Sequence, residues 1–308
     1  MIRHQPTIRP LPRPVAPVQD ETMSSFLHRL AARNHVAIQD LTAHVSTTVH
    51  EQGRRYSQIS IDSLAAASGL AAASLAYALP EIREQHAHHR VLHLAGRTVA
   101  GQPNFVRLAC RRCMASKAIA GPVQLWARHD HNVCLRHRLW IGEGVHEVGE
   151  QLDVSDLPEI GRAQSRHRNL VRRHGHRSVS AFYETAHEIS DWSSRNSLSP
   201  TPRSARRRYF FKREQAKILP WSYSHAAHYP EVVGVLSVLA SPFWRRLAIS
   251  AIPADWRLFL QQVGRNGITN GDPATNAPLR NWMVEQRRKQ TAGGEERGYL
   301  DPPAAVVD

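Results

Sequence analysis

Cysteine is scarce in this sequence. The 308 residues include three cysteines, and all of them lie between positions 110 and 134. So few cysteines exclude the disulfide framework that stabilises many small secreted domains, while their clustering favours a metal site in a reducing compartment. We therefore expect a protein of the cytoplasm.

Long hydrophobic runs are also missing. A membrane-spanning helix needs about 20 consecutive apolar residues, but the longest candidate, residues 232–240, is cut short by Pro242. Residues 1–18 carry five prolines and three arginines without an apolar core, which is typical of an extended arm and not of a secretory signal. We expect no membrane partner.

Acidic residues are too few to balance the basic ones. Forty Lys and Arg stand against 26 Asp and Glu, which gives a formal net charge of +14 and a pI near 10.6. A surplus of this sign attracts polyanions, because each phosphate contact releases condensed counterions. Nucleic acid is therefore the expected partner.

The apolar residues recur mostly at helical spacing, and we predict a mainly α fold. It would comprise an N-terminal helical domain with a helix-turn-helix-like pair, a small β zinc ribbon or knuckle, and a C-terminal helical domain. The expected boundaries are an extended Pro-rich arm at 1–19, the helix-turn-helix-like domain at 20–100, the zinc knuckle at 101–142, a linker at 143–157, the basic C-terminal helical domain at 158–290 and a disordered tail at 291–308.

Glycine and proline positions predict several helix ends. A helix over about residues 36–49 would be broken by the Gly-Arg-Arg segment at 53–55. Further helices are expected to start near Pro158, Pro230 and Pro253, because proline is favoured in the first turn.

Residues 61–79 have the pattern of a helix-turn-helix, with apolar residues on two short helices and Gly69 at the turn. The outward face of the second helix offers no Arg, Lys, Asn or Gln to read base edges. We therefore favour packing within the domain, or contact with a protein partner through Ala72, Ala76 and Tyr77, over base readout.

Two short motifs form the strongest signal. Cys-Arg-Arg-Cys at 110–113 and Cys-Leu-Arg-His at 134–137 each carry two metal-binding side chains with two residues between them, and 20 residues separate the motifs. The four ligands Cys110, Cys113, Cys134 and His137 match the tetrahedral shell of structural zinc. A closed shell leaves no position for water, so we expect one structural Zn²⁺ that stabilises the fold.

Basic residues cluster beside the first motif, along the helix that begins at Pro158, and at 206–213. The candidate nucleic-acid contacts are Arg111, Arg112, Arg166, Arg172, Arg173, Arg206, Arg207, Arg208, Lys212 and Arg213. Two interpretations of 206–213 remain open. The segment is either a cationic and aromatic surface for nucleic acid, or a helix with core aromatics and solvated arginines.

Several segments together resemble the TniQ family. Residues 20–21 (Asp-Glu), 24–27 (Ser-Ser-Phe-Leu), 29–31 (Arg-Leu-Ala) and Asn34 are similar to the opening of TniQ domains. A Trp more often stands there in place of Phe26. The Ala/Gly-rich helix pair, Cys-x-x-Cys, a Trp and Cys-x-x-His follow in the order typical of the family. The resemblance covers about residues 11–140, and the second Cys-x-x-Cys that many members carry after the His is missing.

This resemblance implies a non-catalytic adaptor of cut-and-paste transposons. Such an adaptor binds target DNA or an RNA-guided protein–RNA complex, recruits an AAA+ transposition regulator and can act as a homodimer. One alternative is a zinc-containing helix-turn-helix transcription regulator. Another is an HNH-type nuclease, because Asp-His-Asn at 130–132 adjoins a knuckle and Asn169 and His174 could supply the remaining groups. Cys134 and His137 argue against the nuclease, since they follow immediately, where that fold needs a turn and a helix.

Overall fold

The computed structural model describes residues 8–51, 54–82, 104–196, 200–214, 221–267 and 275–298. The protein is mainly helical, as predicted. It divides into two compact units, one built from Met1–His131 with Val145–Gln151, the other from Asn132–Gly144 with Leu152–Asp308.

In its described residues, the first unit combines helices with two antiparallel strand pairs. Its helices are α1 (Met23–Asn34), α2 (Ile38–Val45), α3 (Ile61–Ser68), α4 (Ala72–Ala78) and the short α5 (Arg111–Ala115). Its strands are β1 (Ser46–Glu51) paired with β2 (Arg54–Ile59), and β3 (Asn104–Leu108) paired with β4 (Gln124–Arg128).

The second unit consists of long helices and a small antiparallel sheet. The sheet has the order β5 (Val133–Cys134), β6 (Leu139–Trp140), β7 (Leu152–Asp153). The helices are α6 (Pro158–His174), α7 (His176–Arg195), α8 (Pro202–Glu214), α9 (Trp221–Leu239), α10 (Pro242–Ile249), α11 (Pro253–Gly267) and α12 (Ala277–Gly298).

Helix α1 begins at a side-chain cap and is fixed by an internal ion pair. The Thr22 hydroxyl accepts a hydrogen bond from the Ser25 backbone N at 3.2 Å, which satisfies one of the free amides of the first turn. Glu21 is fully buried, and its carboxylate accepts hydrogen bonds from two nitrogens of the Arg29 guanidinium. This two-point contact compensates the buried charge.

The N-terminal arm is packed against this unit in the residues that the structure describes. Leu11 donates its backbone N–H to the Ala67 carbonyl at 2.8 Å, and Val18 is buried. The Asn34 side chain accepts from the Arg13 backbone N and donates to the Arg13 carbonyl, each at 2.9 Å. The arm has no helix or strand over residues 8–19. The first seven residues lie outside the described part.

The predicted helix pair is present. Gly69 ends α3 with a φ of +70°, which glycine adopts without steric cost. Leu64 and Leu75 are fully buried between the two helices and α1. The pair α3 and α4 therefore contributes to the core of the first unit through its apolar side.

The helix expected over residues 36–49 is wrong in its second half. Helix α2 ends at Val45, and the chain then forms the hairpin β1–β2, in which Ser46 pairs with Ile59 and Glu51 with Arg54. Thr47, Thr48 and Val49 are β-branched, and such residues favour strands over helices. Arg54 and Arg55, expected to break a helix, therefore lie at the start of β2.

The helix start expected at Pro230 is also wrong. Pro230 lies inside α9, which begins at Trp221. Residues 232–236 and 238–240 are buried in the core of the second unit, and this packing outweighs the backbone hydrogen bond that proline cannot donate. Pro158 and Pro253 do begin helices.

Two segments expected to lack regular structure contain it. Residues 143–157 include a 3₁₀ turn at Val148–Glu150 and strand β7, where Leu152 is buried. Helix α12 continues to Gly298, so the first eight residues of the expected tail are helical. Residues 299–308 lie outside the described part of the chain.

The core of the second unit is built around α9. Phe259 and Trp282 stack with ring centroids 6.0 Å apart, and both are buried. Gly234 allows α9 and α11 to approach closely, since a Cβ atom there would lie 1.6 Å from the backbone oxygen of Asn266. Any larger residue at this position would force the two helices apart.

Within the described residues, no single helix has both the length and the apolar character needed to cross a membrane. The pairs α3–α4 and α9–α10 reach that threshold only when their members are taken together, across bends of 106° and 74°.

A buried carboxylate links α1 to β4 in the first unit. Glu81 is only 6% exposed, and its Oε1 accepts hydrogen bonds from the Met23 backbone N at 3.0 Å and from Trp126 Nε1 at 2.5 Å. Its Oε2 has no hydrogen-bond partner among the described residues. Burial raises the pKa of Glu81 because desolvation disfavours the charged form.

We predict that Glu81→Gln stabilises the protein at alkaline pH. A raised pKa in the folded state means that ionisation of Glu81 costs stability as the pH rises through that pKa, whereas below the unfolded-state value near 4.5 the cost is absent. The melting temperature of Glu81→Gln relative to wild type should therefore be higher at pH 8 than at pH 4.5. The exposed Glu184→Gln serves as the control, and an equal difference at both pH values would contradict the prediction.

Candidate metal centre and basic surfaces

The first ligand pair lies where a strand leads into a helix. Cys110 follows β3 and caps α5, and Cys113 lies within that helix. Ala109 donates its backbone N–H to the Val123 carbonyl at 2.8 Å, which continues the β3–β4 pairing up to the cysteine. Strand β4 lies in the segment between the two ligand pairs.

The second pair lies in the tight connection between β5 and β6. Cys134 ends β5, and the His137 backbone N donates to the Cys134 carbonyl at 3.2 Å. Arg138 follows with a φ of +49°, a conformation that costs a non-glycine residue about 1–2 kcal/mol. Val154 donates its N–H to the Arg138 carbonyl at 2.8 Å and stabilises this turn.

The four predicted ligands come together. The sulfur atoms of Cys110, Cys113 and Cys134 and a ring nitrogen of His137 all lie within 4.8 Å of one another. Cys134 Sγ and His137 Nδ1 are 3.7 Å apart, close to the ~3.6 Å that tetrahedral zinc with ordinary Zn–S and Zn–N bonds would impose. Both the donor types and their spacing are compatible with a structural zinc site.

A buried glutamine holds the backbone of the first pair. Gln151 is 2% exposed, and its side-chain Nε2 donates to the Ala109 carbonyl while its Oε1 accepts from the Arg111 backbone N, both at 2.8 Å. These two hydrogen bonds lie on either side of Cys110. Gln151 therefore fixes the position from which the cysteine sulfur projects.

A second buried glutamine does the same for the other pair. The Oε1 atom of Gln164, on α6, accepts from the backbone N of Asn132 at 2.9 Å and of Val133 at 2.8 Å. Tyr229 also donates its hydroxyl to this oxygen at 3.4 Å. Sequence reasoning missed both glutamines, because neither has a fixed spacing from the ligand that it supports.

Three other histidines, two close to His137 in sequence and one considered for a nuclease, do not belong to the Cys₃His group. Among the described residues, His129, His131 and His174 belong to no group of side chains close enough to share one metal ion. Asn132 is fully buried. The nuclease stays an untested alternative, and His86, His88 and His89 lie outside the described residues.

Arg206 does not have the surface position expected of a phosphate contact. It is 6% exposed, its Nε donates to the Ala227 carbonyl at 2.7 Å, and its guanidinium contacts both carboxylate oxygens of Glu231. Glu159 lies 3.7 Å away. Arg206 is therefore an internal residue that neutralises two acidic side chains, because an unpaired charge in this position would be costly.

Several other cations of α8 are on its surface, whereas the Arg203 side chain is only 13% exposed and pairs with Asp191. Arg207, Arg208 and Lys212 are exposed, and they share one helical face with Phe211, which is 49% exposed. Phe210, on the opposite side, is buried. Helix α8 therefore has a core side with buried Phe210 and a cationic outer side, and a nucleic-acid surface there stays a prediction.

The other candidate contacts differ in how strongly they are held. Arg112, Arg172 and Arg173 are exposed. Arg111 donates to the Val148 carbonyl at 3.0 Å, and exposed Arg213 donates to the Asp153 carbonyl at 3.1 Å.

Arg166 lies at a groove beside the second ligand pair. Its guanidinium donates to Ser237 Oγ at 2.6 Å and to Asn266 Oδ1 at 3.0 Å. The groove has a volume of about 630 Å³, and Arg138, Arg162 and Asn169 also line it. Three arginines and no acidic residue line this groove.

The outward face of α4 is small and mostly exposed. Tyr77 is 66% exposed, whereas Ala72 is half-buried and Ala76 packs against the core of the first unit. Tyr77 also lines a hollow of about 460 Å³ together with Pro17 and Ala73. Of the three predicted partner contacts, Tyr77 is therefore the most accessible.

Residues 12–140 match the family model TniQ. The matched region includes α1, the helix pair and all four candidate metal ligands. Comparison with curated proteins and with solved structures found no significant match.

We predict that Gln151→Ala weakens zinc binding by about 10–100-fold, the usual effect of removing a group that orients a metal ligand. Cys110→Ser combined with Cys113→Ser should abolish binding at the Cys₃His set. Competition with a chromophoric chelator measures both effects. Exposed Gln39→Ala is the control, and Gln151→Glu, which keeps the acceptor, should lie between Ala and wild type. Unchanged affinity in Gln151→Ala would show that the glutamine does not support the site.

Proposed function

Because residues 12–140 of this chain belong to the TniQ family, we propose that the protein is a non-catalytic adaptor in DNA transposition. It would bind target DNA directly or through a protein–RNA targeting complex, and it would recruit an AAA+ transposition regulator. The family itself points to a transposition-associated adaptor role. The direct partners, a possible homodimer and the cytoplasmic location are our inference.

The family match is the main support for this proposal. The matched residues include a buried ion pair and the four candidate metal ligands. Glu21 is buried and paired with Arg29 at the opening of α1. The four ligands lie close enough for one structural ion. A closed Cys₃His shell would supply stability and no reaction chemistry, which agrees with an adaptor.

The outer face of α8 is our candidate for contact with DNA. Arg207, Arg208 and Lys212 can each approach a phosphate, and exposed Phe211 offers a ring for stacking on an unpaired base. Such contacts carry no sequence information. Binding through this face would therefore be electrostatic and largely independent of sequence.

The face of α4 is our candidate for contact with a protein. Specific operators are usually preferred over other DNA by about 4–10 kcal/mol, and each good bidentate base contact supplies about 1–3 kcal/mol. Only Ser74 and Tyr77 offer polar groups on this helix outside the core. A protein partner uses exposed tyrosine more readily, since aromatic residues are enriched at interfaces.

We predict that Arg207→Ala, Arg208→Ala and Lys212→Ala together weaken DNA binding equally for unrelated sequences. The slope of log affinity against log salt should fall by up to about three, because each lost phosphate contact removes nearly one unit. Fluorescence anisotropy at several salt concentrations measures this slope.

The control for this experiment removes the same charge elsewhere. Arg287→Ala, Arg288→Ala and Lys289→Ala change three exposed cations on α12. Arg206 is left intact, because breaking its buried ion pair would destabilise the fold. Equal losses in both triple variants would mean that net charge alone matters, and no loss in the α8 variant would reject this face as the contact.

We also predict that Tyr77→Ala with Ala73→Glu impairs binding of a protein partner more than binding of DNA. Both residues are exposed, so the fold should remain intact. Co-purification of an AAA+ transposition regulator from the native host, or of a second copy of the chain, measures the effect, with exposed Ala32→Glu on α1 as the control. If instead a DNA consensus is selected and Tyr77→Ala abolishes it, the helix pair reads bases and the protein is a transcription regulator.

A further inference from the structure

A second group of metal-binding side chains lies in the second unit, away from the cysteines in sequence. Glu143 follows β6, His187 lies on α7 and His225 lies on α9. One carboxylate oxygen and one ring nitrogen from each histidine all lie within 4.8 Å of one another. His225 Nδ1 is 3.5 Å from Glu143 Oε2, and the two histidine ring centroids are 5.8 Å apart.

The backbone that carries Glu143 is fixed beside α9. Gly144 has a φ of +82°, and a Cβ atom there would lie 2.5 Å from the Ser222 backbone N, so only glycine permits this approach to the first turn of α9. Trp140 is buried and donates its Nε1–H to the Glu143 carbonyl at 3.1 Å. The residue after Glu143 is therefore held against Ser222, one helical turn before His225 on α9.

His187 is held equally well. The fully buried Ala186 and Ile189 place α7 in the core of the unit, against α9. The buried His228 ring packs edge-on against His187, with centroids 5.1 Å apart, and limits the rotation of that ring. All three side chains thus project from backbone that packing has already fixed, as a metal site requires.

We propose that Glu143, His187 and His225 form a second metal site, which binds a divalent transition metal ion such as Zn²⁺. Two imidazoles and one carboxylate are ligands that suit Zn²⁺ and its neighbours better than Mg²⁺ or Ca²⁺. Three protein ligands leave at least one coordination position open to water or to a ligand from a partner. The Glu143 side chain is 52% exposed, so the ion exchanges with solvent more easily than one enclosed by three thiolates.

The test is zinc titration of the metal-free full-length protein, with total bound metal measured by mass spectrometry. Wild type should bind two equivalents, and a mild chelator should remove one of them first. His187→Ala with His225→Ala should lose that equivalent and keep the other. Cys110→Ser with Cys113→Ser should show the reverse. Saturation of wild type at one equivalent would overturn the proposal.

Cobalt substitution assigns each ion to its site. Thiolate ligands give strong near-ultraviolet charge-transfer bands with Co²⁺, whereas histidine and carboxylate ligands give only weak visible bands. The weak bands should disappear in His187→Ala with His225→Ala and persist in the control His28→Ala with His44→Ala, which removes two exposed histidines.

Glu143→Gln protects the test against a histidine variant that fails to fold. This substitution changes one exposed carboxylate, and it should weaken the second equivalent by about one order of magnitude or more. An unchanged second equivalent in Glu143→Gln would exclude this group as the binding site and would assign the ion to surface histidines.

Discussion

Two buried glutamine side chains hold the backbone from which the four candidate zinc ligands project. Strands β5 and β6 have only two residues each, too few for a ladder of backbone hydrogen bonds to fix the second ligand pair. Gln164 supplies the missing acceptor for two adjacent amides, and Gln151 uses both ends of its amide around Cys110. An amide is well suited to this task, because it donates and accepts without carrying a charge that burial would penalise. Each ligand pair is thus supported by its own buried amide.

The basic side chains of this protein have two different roles. Arg206 and Arg29 lie inside the protein, where each neutralises a buried or half-buried glutamate. Arg207, Arg208 and Lys212 lie on the surface and add to the field that attracts polyanions. Net charge therefore overstates the number of cations available to nucleic acid. The adaptor proposed here would use few phosphate contacts on rigid helices, with target choice left to its partners.

The two proposed metal sites are built in different ways. Ligands that are close in sequence share a tight turn, as in the two cysteine-containing pairs. Ligands that are distant in sequence depend on helices already packed together, as Glu143, His187 and His225 do. The first kind is compatible with a firmly held structural ion, and the second with a more exchangeable one whose open position faces solvent or a partner.

Local sequence determined the features that local physics can fix. The two-residue spacing identified Cys110, Cys113, Cys134 and His137, and the turn residue Gly69 identified the helix pair, because a short motif constrains its own geometry. The residues around Arg206 did not reveal that it is internal, because its partner Glu231 lies 25 residues further along the chain. Likewise, the β-branched residues after Val45 form a hairpin, although the sequence pattern predicted a helix there. Gln151 and Gln164 support the ligand pairs only because folding brings them to backbone amides that are distant in sequence. Tertiary structure decided these features, because each depends on a partner whose distance along the chain no local pattern encodes.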